Sequence, residues 1–338
     1  MLNLDLGNIF VDSTDAGRLM SSLQGNKQPE FTVYKENMPA LKRAASKFKG
    51  EKNLIVLGHG GSINSFKALS CLADPAIRVF AVSTNEPDYL LFLRKKCKPK
   101  DTLIVAVSKS GNNVTIIEAL LSFQGYKTIA VTESGKTTLG AIAKKNGYTL
   151  VRHPAIGGRF AGITSCAYLP LILLGVDVAA IDRGAKAMYK RCCVVDESNP
   201  ALELAIALFL LELQGYTEVF MPIYSTKLSC FLPLIIQLMH ESVCKNGSGQ
   251  TFYGDLGPES QHHTNQRFFG GRKNVVGLFV RVKSMQDLSV SVPKVLQRIQ
   301  LLDSALDVID SLPLSKALDF EFQGVREHTI SCKIPFCV

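Results

Sequence analysis

The chain reads as an α/β protein whose sheets are mainly parallel and flanked by helices, a three-layer αβα sandwich. Three observations predict this. Leu103 to Val107 form an unbroken aliphatic run, the pattern of a strand covered on both faces. Ile116, Ile117, Leu120 and Leu121 follow at helical spacing. Apolar runs after Asn53, from Ile77 to Val82 and from Thr128 to Val131 alternate with helical stretches, and alternation of that kind implies right-handed parallel crossovers. In such sheets ligands bind beyond the carboxyl ends of the strands.

Residues before about Gly50 read as one or two amphipathic helices, an N-terminal extension over 1–49. A first domain is expected over 50–195. Its first strand runs into Gly58-His-Gly-Gly-Ser62, where the glycines allow positive φ and a close approach of backbone N–H groups to a ligand. This turn is not the dinucleotide fingerprint, since Ile63 stands where the third glycine belongs. Between Val107 and the next helix lie Ser108, Lys109, Ser110, Gly111, Asn112 and Asn113. A helix N-terminus presents free N–H groups and a positive dipole end, so this loop suits a phosphate, although Ser and Asn also serve as plain helix caps. Gly157 and Gly158 then set Arg159 on a turn from which its guanidinium can reach the same edge, or simply face solvent.

Asp196-Glu-Ser-Asn-Pro200 marks a boundary, and a second domain is expected over 196–338. Tyr216 to Tyr224 reads as a strand, and a helix is expected from about Ser225 to Cys244, with Gln237 and Glu241 on one face. The apolar stretch before Glu241 suggests partial burial, which would raise its pKa toward the range of a general base; a solvated helix-end carboxylate is the plainer alternative. His262 and His263 follow a Gly/Pro loop, and His262 can shuttle a proton near neutrality. Adjacent histidines are not a metal signature. A strand from Asn274, a helix over Pro293 to Leu302 and a last strand over His328 to Pro335 complete the expectations.

Composition narrows the function. The 338 residues are 46% hydrophobic and 20% charged, ordinary for a soluble globular protein. Lys and Arg exceed Asp and Glu by 38 to 29, but they are spread along the chain and there is no Trp, which speaks for a small anionic ligand and against nucleic acid. Nine Cys without metal-ligand spacing suggest reduced thiols and a cytoplasmic setting. The apolar helical stretches are interrupted by Ser165, Pro170, Glu203 and Glu212, so no membrane span is expected, and Met1-Leu-Asn-Leu-Asp-Leu does not resemble a signal peptide.

Five motifs stand in a telling order: Gly-His-Gly-Gly-Ser62, Ser108-Lys-Ser-Gly111, Ile156-Gly-Gly-Arg-Phe160, Gln237-Leu-Met-His-Glu-Ser242 and Gly257-Pro-Glu-Ser-Gln-His262. In this succession the sequence resembles the glucose-6-phosphate isomerase family. The resemblance implies a pair of sugar-isomerase (SIS) domains, and a homodimer with active sites shared between subunits. It implies that Ser108, Lys109, Ser110 and Asn113, with Gly61 and Ser62, hold a sugar phosphate, and that Gly158 and Gln237 contact the substrate. Arg159 would stabilise an enediolate, Glu241 would carry a proton between C1 and C2, and a partner's His262 would assist ring opening. No cofactor or metal is implied. Asn112 and Asn113 replace the family's threonines, Ala161 a Ser or Thr, and Cys244 a Gly, while the family's closing Gln-Trp-Gly-Val-Glu segment and its Lys have no counterpart before Val338. Those departures leave two alternatives open: a sugar-phosphate-binding protein without full catalysis, and an isomerase of a related substrate such as mannose 6-phosphate.

Overall fold

The computed structural model describes residues 2–73 and 76–338. Helices α1 (Ser13–Leu23), α2 (Glu30–Val33) and α3 (Met38–Ala45) come first. Strands β1 (Asn53–Leu57), β2 (Arg78–Val82), β3 (Thr102–Val107), β4 (Lys127–Thr132) and β5 (Thr149–Arg152) alternate with α4 (Gly61–Ser70), α5 (Pro87–Lys96), α6 (Val114–Leu121) and α7 (Thr138–Lys145). They form one parallel sheet in the order β2-β1-β3-β4-β5. The α/β class with helix-covered parallel strands is therefore as the aliphatic runs indicate. Successive residues of β1 and β3 feed opposite cores, as a period of two demands. Leu54, Val56, Leu103 and Val105 pack with Phe66 and Tyr168 on one face, and Ile55, Leu57, Ile104 and Ala106 pack with Leu93 and Leu120 on the other. Each fully buried aliphatic side chain contributes about 1.5–3 kcal/mol.

Helices α8 (Ser165–Leu173), α9 (Val178–Cys192) and α10 (Pro200–Leu213) lead to β6 (Glu218–Tyr224), then α11 (Thr226–Ser229) and α12 (Leu232–Val243). After them come β7 (Thr251–Leu256), α13 (Thr264–Gly270), β8 (Val275–Leu278), β9 (Val280–Arg281), a hairpin of β10 (Gln300–Leu301) and β11 (Ser304–Ala305), α14 (Leu314–Ser331) and β12 (Phe336–Cys337). The second main sheet runs β12-β8-β6-β7, with β9 also on β6, and every pairing in it is parallel. Its core is aromatic, with Phe220, Phe268, Phe279, Phe322 and Phe336 among its members.

The chain divides into two compact units that are discontinuous in sequence. One gathers Leu19–Leu202 with Cys230–Ser242 around the first sheet; the other gathers Glu203–Ser229 and Val243–Val338 with the N-terminal residues up to Arg18 around the second. Helix α12 thus belongs with the first sheet, although β6 precedes it. In the second unit Asp5 and Val338 exchange backbone hydrogen bonds of 2.9 and 2.7 Å, so the N-terminal segment lies along the end of β12 rather than forming only helices.

Three expected elements differ. The helix from Ser225 to Cys244 is two helices, because Pro233 in the first turn of α12 has no N–H to continue a helix from the residues before it. Residues 293–302 are turns ending in the β10–β11 hairpin: Val295 and Leu302 are 87% and 85% exposed, so no burial supports a helix there. His328 to Ser331 belong to α14, where Phe322, Val325 and Thr329 are buried at helical spacing, and the last strand is only Phe336–Cys337. Among the described residues no helix is long and apolar enough to cross a membrane. The nine cysteines are thiols, with no disulfide among them.

Candidate functional site

At the carboxyl end of β1 the chain turns through Gly58 to Gly60, and α4 begins at Gly61. Gly60 has a φ of +59°, open to glycine and strained for other residues. Gly61 is required by space: a Cβ there would lie 2.4 Å from the Gly158 carbonyl oxygen and 2.6 Å from the Arg159 Cα. The glycines thus let two turns touch. Gly162, one turn on, meets Ser65 of α4 in the same way. Arg159 lies in a 3-10 turn, Gly158–Ile163, with its guanidinium 5.2 Å from the ring of Phe160, which stacks on Phe31 at 4.7 Å.

Onto these turns α12 brings Gln237 and Glu241. Asn64 donates to Gln237 Oε1 at 2.8 Å, and Gln237 Nε2 donates to Glu241 Oε1 at 2.8 Å. The Arg159 guanidinium donates to the Glu241 main-chain carbonyl and stands 3.9 Å from Glu241 Oε2. The Glu241 side chain is 51% exposed, so the expected partial burial is not what the structure has. The reason is that α12 is only half-covered over Leu234–His240, and Glu241 stands in its exposed last turn. A carboxylate held at one oxygen by an amide, with a cation beside the other, can accept a proton from a molecule in front of it while the cation stabilises negative charge nearby.

The neighbouring strand β3 ends in the Ser108–Asn113 loop. Ser108 is buried and its N–H donates to Val131, while the Lys109 carbonyl accepts from Glu133 N–H and Thr132 Oγ1. Gly111 has a φ of +61° and sits so close to Thr137 that a Cβ would come within 2.2 Å of its Oγ1. Asn113 caps α6 by accepting from Ile116 N–H at 3.0 Å, and Asn112 accepts from the backbone and hydroxyl of Thr138. Ser110, Asn112 and Asn113 are exposed.

The structure brings Gly61, Gly158, Arg159, Gln237 and Glu241 into one contact network, with Ser62 next to Gly61, and sets Ser108, Lys109, Ser110 and Asn113 at the end of the strand beside it. His262 is exposed, at the end of the 3-10 turn Glu259–His262, in the other compact unit. Two residues escape the sequence reading. Asn64 is one, and its place three residues after Gly61 in a first helical turn is the only signal it gives. His59 is the other: its Nε2 is enclosed without a hydrogen-bond partner among the described residues, and burial, then the charge of Lys67, holds its imidazole below the usual value. His153, at the end of β5, is likewise pushed down, chiefly by burial.

Two parallel sheets between helices, with a Gly-rich turn and a Ser-Lys-Ser-Gly loop at the carboxyl edge of the first, make an α/β protein with a fold of the SIS type. Within that class the chain is similar to the glucose-6-phosphate isomerases. It is 31% identical over 264 residues to a protein named glucose-6-phosphate isomerase from Methanocaldococcus jannaschii, a match that covers 74% of this chain and 64% of the relative. The chain therefore spans less than two thirds of that relative's length. Among solved structures, a hypothetical protein from Thermus thermophilus superposes with a TM-score of 0.80 at 23% identity, covering 96% of this chain and 82% of that one. A glucose-6-phosphate isomerase from Chlamydia trachomatis superposes with a TM-score of 0.71 at 19% identity, covering 98% and 70%. These two likenesses carry the fold. No family model matches the chain.

Proposed function

We propose that the chain is an aldose–ketose isomerase interconverting glucose 6-phosphate and fructose 6-phosphate. The observation that carries the reading is Glu241, braced at Oε1 by Gln237 and flanked at 3.9 Å by Arg159. An aldose and its ketose differ by the position of one carbonyl, so conversion requires removal of a proton α to it and return of that proton to the adjacent carbon. Glu241 is the base that carries it. The enediolate formed between the two transfers bears negative charge on oxygen, and Arg159 offsets that charge. Gln237 sets the carboxylate and contacts the sugar, and Gly158 keeps the Arg159 turn against α4. Ser108, Lys109, Ser110 and Asn113, with Gly61 and Ser62, bind the ester phosphate, which fixes C1 and C2 over Glu241. His262 assists ring opening from a second copy of the chain, so the working form is a homodimer with shared sites. Reduced thiols fit a cytoplasmic setting.

Purified protein incubated with fructose 6-phosphate is expected to form glucose 6-phosphate, and Glu241→Gln to lower the rate by about 10²–10⁴-fold. Wild-type turnover no faster than that variant refutes the isomerase; if fructose 6-phosphate still raises the melting temperature, the chain is a sugar-phosphate-binding protein instead. For the phosphate loop, Ser108→Ala combined with Ser110→Ala is expected to weaken binding of the sugar phosphate more than of the free sugar. Equal weakening of both removes the phosphate from this loop.

A further inference from the structure

The N-terminal helices take no direct part in the isomerase chemistry, yet one of their side chains reaches toward it. Arg159 needs to be held. Gly157 and Gly158 precede it and bring no side chain to restrain the turn, and a long Arg side chain has many rotamers to lose when it is fixed in front of Glu241. The hydrogen bond to the Glu241 main-chain carbonyl fixes one nitrogen and leaves the guanidinium plane free to turn. Charge adds little, because Glu241 Oε2 is 3.9 Å away on a side chain 51% exposed, where solvent weakens the attraction. An aromatic face can supply the missing restraint.

That face is Phe160, whose ring centroid lies 5.2 Å from the Arg159 Cζ. Phe160 is itself 36% exposed, and its ring stacks on Phe31 with centroids 4.7 Å apart and planes 7° from parallel. Such an offset stack is favourable beyond the area it buries. Phe31 belongs to α2, which is four residues long and buries none of them, so that helix cannot fix the ring by its own stability. Tyr189 of α9 does so instead, edge-on to Phe31 at 5.6 Å and 70°. Helix α9 is 15 residues long and capped by Asp177, which accepts from the Ala179 and Ala180 N–H groups. Three rings thus run from a long helix to the guanidinium, all within the compact unit that holds Glu241.

We propose that Phe31 is a positioning residue for the isomerase reaction: stacked on Phe160 and backed by Tyr189, it keeps the Arg159 guanidinium where the enediolate charge develops. The proposal rests on Glu241 being the proton carrier and Arg159 its cation. Phe31 acts through Phe160 and Arg159 and not on the sugar. Because the enediolate charge is absent from the bound sugar, loss of this brace lowers kcat and leaves KM in place.

The test, on the full chain, compares Phe31→Leu, which removes the ring but stays apolar, with Phe31→Tyr, which keeps the ring. Phe31 borders a groove of about 740 Å³ with Tyr189, Cys192 and Cys193, so the added hydroxyl has room. With fructose 6-phosphate, Phe31→Leu is expected to lower kcat by about tenfold at an unchanged KM, and Phe31→Tyr to match wild type. In an Arg159→Lys background the loss from Phe31→Leu is expected to shrink to about twofold or less, since the group it positions is gone. A second readout needs no turnover: the order parameter of the Arg159 Nε–H, assigned by its loss in Arg159→Lys, is expected to fall in Phe31→Leu and to hold in Phe31→Tyr. Should Phe31→Leu not fold, Phe31→Met carries the same test. Wild-type turnover no faster than Glu241→Gln removes the isomerase function, and the Nε–H order parameter then decides whether Phe31 holds Arg159 at all. The proposal is overturned by an unchanged order parameter, by an equal kcat loss in the Arg159→Lys background, or by a raised KM with kcat unchanged. Phe31→Tyr losing as much as Phe31→Leu also overturns it.

Discussion

The ends of β1 and β3 lie side by side in one sheet, yet they are held by different means. The loop after β3 is closed by residues no farther along the chain than the next crossover: Gly111 N–H donates to Ser108 and Asn113 accepts from Ile116, three residues away in each case, while Lys109 and Asn112 accept from Thr132 and Thr138, 23 and 26 residues away. The cluster beyond β1 is assembled across long stretches of chain. Asn64 and Gln237 are 173 residues apart, and Arg159 and Glu241 are 82 apart. The contrast teaches that the loop is a product of its own motif and the crossover that follows it, whereas the carboxylate and its cation meet only because α12 packs with the first unit. Damage to the loop should stay local, and damage to the cluster should spread to partners remote in sequence.

The sharpest way to break this contrast is Gly61→Ala. Alanine favours a helix by up to about 1 kcal/mol, but the added Cβ meets backbone atoms of Gly158 and Arg159 that cannot rotate away. Overpacking is expected to win, lowering stability by about 1–3 kcal/mol and depressing turnover with it. A melting temperature equal to or above wild type would show that the two turns do not need their close approach. Asn113→Ala comes next. Loss of the α6 cap is expected to cost about 1 kcal/mol in urea denaturation, while the hydrogen-exchange protection of α12 stays as in wild type; a change in α12 would mean that the loop and the cluster are coupled. The smallest effect on stability is expected for Asn64→Ala, at most about 1 kcal/mol for one part-buried hydrogen bond. Its signature is kinetic: turnover falls because Gln237 is no longer braced, and KM holds. A rise in KM with unchanged kcat would assign Asn64 to substrate binding instead.

How much was legible follows the same division. Leu103 to Val107 announce a doubly covered strand because every residue is apolar, and the structure buries all of them. Thr149 to Arg152, the edge strand β5, gave no such sign, since its residues alternate between half-buried and exposed. Residues 293–302 carry apolar spacing that suits a helix, but a helix that short needs a surface to pack on, and Val295 and Leu302 have none. The last turn of α14 reads as a strand because Thr329 to Ile334 alternate in polarity; the burial of Phe322, Val325 and Thr329 decides for the helix. At the site, Arg159 and Glu241 stand out in their motifs, but Asn64 carries no mark of its own.

By itself the sequence determined the α/β class, the Gly-rich turn and the capped Ser108–Asn113 loop, because aliphatic runs, glycine conformations and helix caps act over a few residues. Only the tertiary structure decided which distant side chains share a site and how open Glu241 is to solvent. Those outcomes depend on how far each helix face is covered by elements from elsewhere in the chain, and spacing within one segment carries no information about what covers it.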